Sequence, residues 1–182
     1  MGNRINPERV YQRVYDAVRE MHLNLPPDVQ ACLVCAAQSE TGQGKRVLEC
    51  ILRNLEEAVR HHIPLCQDTG MVWVYVLAGE DTGVRGLRET ISRAVQDAYC
   101  DGYCRPSIVV DPLDGRKNTD TNLPAVFHFE IVPGSRLEIH ILAKGFGSEN
   151  CSRVFMLNPT QGREAVIDAV CQVMQNARGA PC

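Results

Sequence analysis

Two backbone constraints bracket a short segment near the middle of the chain. Pro64 has no amide hydrogen and cannot continue a helix, and Gly70 permits a tight turn. Between them lie Leu65, Cys66, Gln67, Asp68 and Thr69. Upstream, from Gly44 to His62, the residues Leu48, Ile51, Leu52, Leu55 and Val59 recur at helical spacing. Downstream, Met71 to Leu77 is an unbroken apolar run of strand length. The segment is therefore read as a helix-to-strand junction. Its consecutive side chains cannot all enter one core, so some must face a cavity or solvent. A thiolate is a strong ligand for iron or zinc, and a neighbouring carboxylate can transfer protons. A loop with a buried cysteine and an Asp–Thr turn satisfies the same spacing.

The flanking sequence predicts helices before this junction and a mixture after it. Val10, Val14, Val18 and Met21 mark one face of a first helix. Pro26-Pro27 separates it from a second, with Val29, Cys32, Leu33 and Ala36 on its apolar face. The CxxC of Cys32 and Cys35 falls inside that helical pattern without a second CxxC, so both are read as small core residues. Arg60-His61-His62 complements the dipole at the end of the third helix. A fourth helix carries Leu87, Ile91, Ala94, Val95 and Ala98 inward. Residues Ala125 to Val132 alternate, Pro133 to Arg136 reads as a turn, and Leu137, Ile139 and Ile141 share a face, which predicts a hairpin. His128 and His140 are read as strand histidines satisfied on one face. A last helix, from about Gly162 to Gln175, is expected to turn Val166, Val170, Val173, Met174 and Ala177 inward. The expectation is one α+β domain over 1–182, a helical N-terminal part packed on a small, mainly antiparallel sheet.

Composition excludes several classes. The 182 residues are 45% hydrophobic and 23% charged, and the formal net charge of −3 gives no general affinity for nucleic acid. No run of about 18 apolar residues offers a membrane span. The N-terminus shows no signal-peptide core, and nine cysteines are an odd count. A reduced, cytoplasmic setting is therefore expected rather than a disulfide framework.

Three further stretches can carry chemistry. Arg105 precedes a short apolar run and is held by Pro106; it could receive a carboxylate, although a surface arginine is the commoner explanation. Asp111 to Pro124 is a long polar loop, a kind often functional when ordered. In Ala143-Lys144-Gly145-Phe146-Gly147-Ser148-Glu149-Asn150, glycines flank Phe146 and let the backbone approach a ligand, and Lys144 with nearby amides could bind an anion.

Taken together and in order, Pro64 to Gly70, Arg105-Pro106-Ser107, Arg116-Lys117-Asn118-Thr119 and Lys144 to Asn150 resemble one family over nearly the whole chain. It is the iron–sulfur class I fumarate hydratases and the alpha subunits of L(+)-tartrate dehydratase. The resemblance implies a hydro-lyase with a 4Fe–4S cluster held by three cysteines, one iron being open. It assigns Cys66 as the first cluster ligand. Gly179-Ala180-Pro181-Cys182 resembles the family's Gly-Ala-x-Cys-Pro-Pro region, which makes Cys182 the second, with Cys151 as its rival. Gln67, Asp68 and Arg105 match substrate-holding positions, and Gly147 a glycine of the pocket wall. Two departures stand out: Phe146 replaces the middle glycine of the family's Lys-Gly-Gly-Gly-Ser-Glu-Asn loop, and family alpha chains continue further, where the third cysteine lies.

The implied chemistry adds or removes water next to a carboxylate of a small dicarboxylate. The open iron acts as Lewis acid, Asp68 transfers or orients a proton, and Arg105 holds a carboxylate. The resemblance also implies a beta-type subunit or C-terminal domain as partner and an oligomeric assembly. The isolated chain is expected to bind a cluster poorly and to be inactive. Two alternatives stay open: a scaffold or binding subunit that kept the fold without a cluster, and a zinc or redox protein using the many cysteines.

Overall fold

The computed structural model describes residues 3–147 and 151–177. Helix α1 (Pro7–Leu23) starts where Asn6 accepts the Arg9 amide at 3.1 Å and Pro7 occupies the first turn. Then follow α2 (Pro27–Ser39), α3 (Gly42–His61), β2 (Met71–Gly79), α4 (Leu87–Asp101), β4 (Val126–Val132), β5 (Leu137–Lys144) and α5 (Gly162–Ala177). A two-residue pair, β1 (Asn3–Arg4) with β3 (Thr82–Gly83), ties the N-terminal segment down. Among the described residues no helix is long and apolar enough to cross a membrane.

The α+β class holds. The core is two layers, the sheet and the α1–α4 pair. Every second residue of β2 (Val72, Val74, Val76 and Ala78) is buried against Val10, Val14 and Val18 of α1 and Ile91, Ala94, Val95 and Ala98 of α4. The opposite face carries Trp73 and Tyr75, with His128 stacked on the Tyr75 ring at 4.7 Å and His140 Nε2 2.9 Å from Glu138.

The expected hairpin over residues 125 to 143 does not form. The strand order is β4–β2–β5: β4 runs parallel to β2 and β5 antiparallel, so the sheet is mixed and β2 separates the two strands. Alternation shows which face of a strand is buried, not which strand lies beside it. The most apolar strand takes the centre, where both of its edges are satisfied. The 133–136 link crosses the end of β2 instead of turning between neighbours. Gly79 donates to the Arg136 carbonyl at 2.7 Å, Glu80 to Val132 at 2.9 Å and Asp81 to Gly134 at 3.0 Å. A Cβ on Gly79 would overlap the Gly134 carbonyl and the Arg136 amide.

Two other expectations change. Cys32 and Cys35 are exposed on α2 rather than in the core. Helices α2 and α3 pack mainly on each other, and Val29, Ile51 and Val59 remain exposed. The apolar stripe of α5 does not turn inward: Val166, Val170 and Met174 are exposed, and no described residue of the helix is buried. Periodicity locates an apolar stripe, but the described residues contain no element that covers this one.

Candidate active site

The junction between α3 and β2 is fixed from five directions. Leu65 donates its amide to the His22 carbonyl at 2.8 Å, and its own carbonyl accepts from Asn54 Nδ2 at 2.9 Å. Tyr99 of α4 donates its hydroxyl to the Thr69 carbonyl at 2.7 Å. Asn122 Nδ2 donates to the Gly70 carbonyl at 3.0 Å. Thr69 Oγ1 donates to the Arg105 carbonyl and accepts the Arg105 amide, both at 3.0 Å. Gly70, at φ +60°, has no room for a side chain, since a Cβ would overlap the Lys144 carbonyl at the end of β5. That contact brings the Lys144–Gly147 loop onto the junction.

Asp68 lies where these segments meet. Its Oδ2 accepts the Gly147 amide at 2.5 Å, and its own amide donates to Cys66 Sγ at 3.4 Å. Gln67 and Cys66 are exposed beside it, and the Arg105 side chain is exposed on the segment clamped to Thr69. Cys66, Gln67, Asp68, the Arg105 backbone and Gly147 are thus neighbours in space, although residues 66 and 147 are distant in sequence. Phe146, the departure from the family loop, is partly exposed beside Gly147. The Lys144 ammonium lies over the Trp73 ring, 5.5 Å from its centroid.

Three residues that the sequence did not single out hold this arrangement. Asn122 is fully buried, and its Oδ1 accepts the Ser107 and Ile108 amides at 2.9 and 3.3 Å while its Nδ2 binds Gly70. One amide therefore fixes the Arg105 segment relative to the Asp68 loop. Tyr99 is buried, its pKa pushed far up by burial, so it stays a neutral donor. His22, 7% exposed, places Nε2 3.1 Å from the Tyr99 oxygen. The single phenol hydrogen goes to Thr69, so the imidazole must donate, which fixes the Nε2–H tautomer. Burial lowers the His22 pKa to about 4, and the ring is neutral near pH 7. The usable signal for Asn122 was its place in a polar loop before Pro124; for His22 and Tyr99 it was only a polar residue on an apolar helix face.

The cysteines are less complete. Those in the described residues are free thiols. Cys66, with a backbone amide directed at its sulfur, suits a thiolate ligand. Cys151 lines a separate cleft with Arg153 and Phe155, whereas Cys66 borders the apolar groove between α2 and α3. Cys182 lies outside the described residues. Among the described residues no group of three His, Cys, Asp or Glu is placed to hold a metal ion. They therefore fit one position of a cluster's ligand set, not a whole set.

A family model described as fumarate hydratase (Fumerase) matches residues 11–182. The chain belongs to the fumarate hydratase (Fumerase) family. Relatives of the chain carry two kinds of name. One, from Methanocaldococcus jannaschii and provisionally named L(+)-tartrate dehydratase subunit alpha, is 34% identical over 93% of the chain and 62% of its own length. An Escherichia coli L(+)-tartrate dehydratase subunit alpha is 30% identical over 80% of the chain and 50% of its own. A Geobacillus stearothermophilus protein, provisionally named fumarate hydratase class I, is 30% identical over 79% of the chain and 28% of its own. The chain thus spans 28% to 62% of the length of these relatives.

Proposed function

We propose that the chain is the alpha-type part of a hydro-lyase that adds water to, or removes it from, a small dicarboxylic acid such as fumarate, malate or tartrate. The observation that carries this reading is the convergence of Asp68, Gly147 and the Arg105 segment beside an exposed Cys66. Family membership and the names of the relatives support the reaction class.

The residues divide the work by their chemistry. Arg105, on a clamped backbone, presents a planar guanidinium that can take a substrate carboxylate through two parallel hydrogen bonds. Gln67 offers an amide donor and acceptor beside it. Asp68 is held by the Gly147 amide at one oxygen, and its carboxyl group moves the proton at the carbon next to the substrate carboxylate. Cys66 would be one thiolate ligand of a 4Fe–4S cluster, with Cys182 as second and Cys151 as its rival. Such a cluster, when bound, supplies a Lewis-acidic iron for the hydroxyl that leaves or adds. A beta-type subunit or C-terminal domain completes the substrate pocket, and the 182 residues alone turn over negligibly.

The test is anaerobic reconstitution with iron and sulfide, read by visible absorption and by hydration or dehydration of fumarate and tartrate. The chain alone should show little of either. Joined to a family C-terminal segment and beta-type subunit, it should show both. A loaded but inactive assembly would favour a binding or scaffold subunit, and a stoichiometric cluster in the chain alone would overturn the ligand assignment.

A further inference from the structure

The far end of the sheet carries a second cleft that the proposed reaction does not use. It lies between α1 and β5 and has a volume of about 530 Å³. Its floor is apolar, formed by Val10 and Val14 of α1 with Leu137 and Ile139 of β5. Its rim carries Arg9 and Arg13. These cations are one helical turn apart on one face, an arrangement that repels and weakens the helix. A carboxylate normally relieves it, yet none of the ion pairs among the described residues includes either arginine. Asp16, the acid one turn beyond Arg13, instead accepts Gln12 Nε2 at 2.9 Å. Thr82 also lines the cleft, although its hydroxyl oxygen is turned away from solvent.

We propose that this cleft binds a small carboxylate carried on a short hydrocarbon body. Arg9 and Arg13 take the carboxylate oxygens, and the hydrocarbon covers Leu137, Ile139 and Ile141. The site is distinct from the Asp68 loop: the cleft follows β5 from Leu137 to Ile141, and the loop begins at Lys144, about 10 Å further along the strand. The inference is independent of the hydro-lyase reading.

The test titrates the ¹⁵N-labelled chain with butyrate at low ionic strength and follows amide chemical shifts, with inorganic phosphate as a second probe. Saturable shifts are expected at Arg9, Arg13, Thr82 and Leu137, with butyrate bound about tenfold tighter than phosphate because only butyrate covers the floor. The double variant Arg9→Gln, Arg13→Gln keeps helix propensity and should weaken butyrate binding by about tenfold or more. Thr82→Val keeps the shape and changes only an oxygen sealed from the cleft, so it should leave binding unchanged. Arg105→Ala should leave it unchanged. Shifts that fail to saturate below about 20 mM, a scale set by a weak binding constant, would overturn the proposal. So would shifts confined to residues 66–70 and 105, or a double variant that binds like the wild type. Equal affinity for phosphate would overturn the hydrocarbon part.

Discussion

Acid should destabilise the fold through one buried imidazole. His22 is neutral in the folded chain, with a pKa near 4, and returns to about 6.5 when exposed by unfolding. Between those values the unfolded chain holds a proton that the folded chain does not. Stability is therefore complete above about pH 6.5, falls as pH falls towards 4, and has lost this contribution below that. The difference between 6.5 and about 4 corresponds to about 3 kcal/mol, or up to about 1.4 kcal/mol per pH unit inside the window. Protonation would also oblige both ring nitrogens to donate in a site where, among the described residues, only the Tyr99 oxygen is hydrogen-bonded to the ring. The assay is urea unfolding from pH 7.5 to 4, comparing the wild type with His22→Gln, which keeps a donor but does not titrate. The variant should show a shallower pH dependence across the window. Parallel stability–pH curves for the two proteins would refute the reasoning.

Three further outcomes are expected. Tyr99→Phe leaves the Thr69 carbonyl and the His22 N–H without their partner and should cost about 2 kcal/mol in urea unfolding. Gly79→Ala drives a methyl group into the 133–136 link and should cost about 2 kcal/mol or more, whereas Gly83→Ala, with open space around it, should be much milder on the same assay. Arg105→Lys in an active assembly should raise the KM for the diacid about tenfold by replacing a planar fork with a point charge, measured by steady-state kinetics.

The helices were legible because their apolar stripes repeat: Val10, Val14 and Val18 are buried where the spacing placed them, as are Ile91, Ala94 and Ala98. The β2 strand was legible from its unbroken apolar run between Gly70 and Gly79. Strand order was not legible, because β4 and β5 satisfy the same alternation whether they pair with each other or flank β2. The exposed stripe of α5 shows the other limit, since periodicity records a face without recording its cover. At the site, Cys66, Asp68, Arg105 and Gly147 stood out as chemistry in motifs. Asn122, Tyr99 and His22 did not, because a buried hydrogen-bond brace is made by partners far apart in sequence. Tyr99 joins α4 to the Thr69 carbonyl, and Asn122 joins a polar loop to Gly70.

The most direct test of the central claim is steady-state hydration of fumarate and dehydration of tartrate by the cluster-loaded assembly, wild type against Asp68→Asn. If Asp68 moves the proton, kcat should fall by about a hundredfold or more while KM changes only a few-fold. Full turnover by Asp68→Asn, or no turnover of any small diacid by the loaded wild-type assembly, would contradict the assignment.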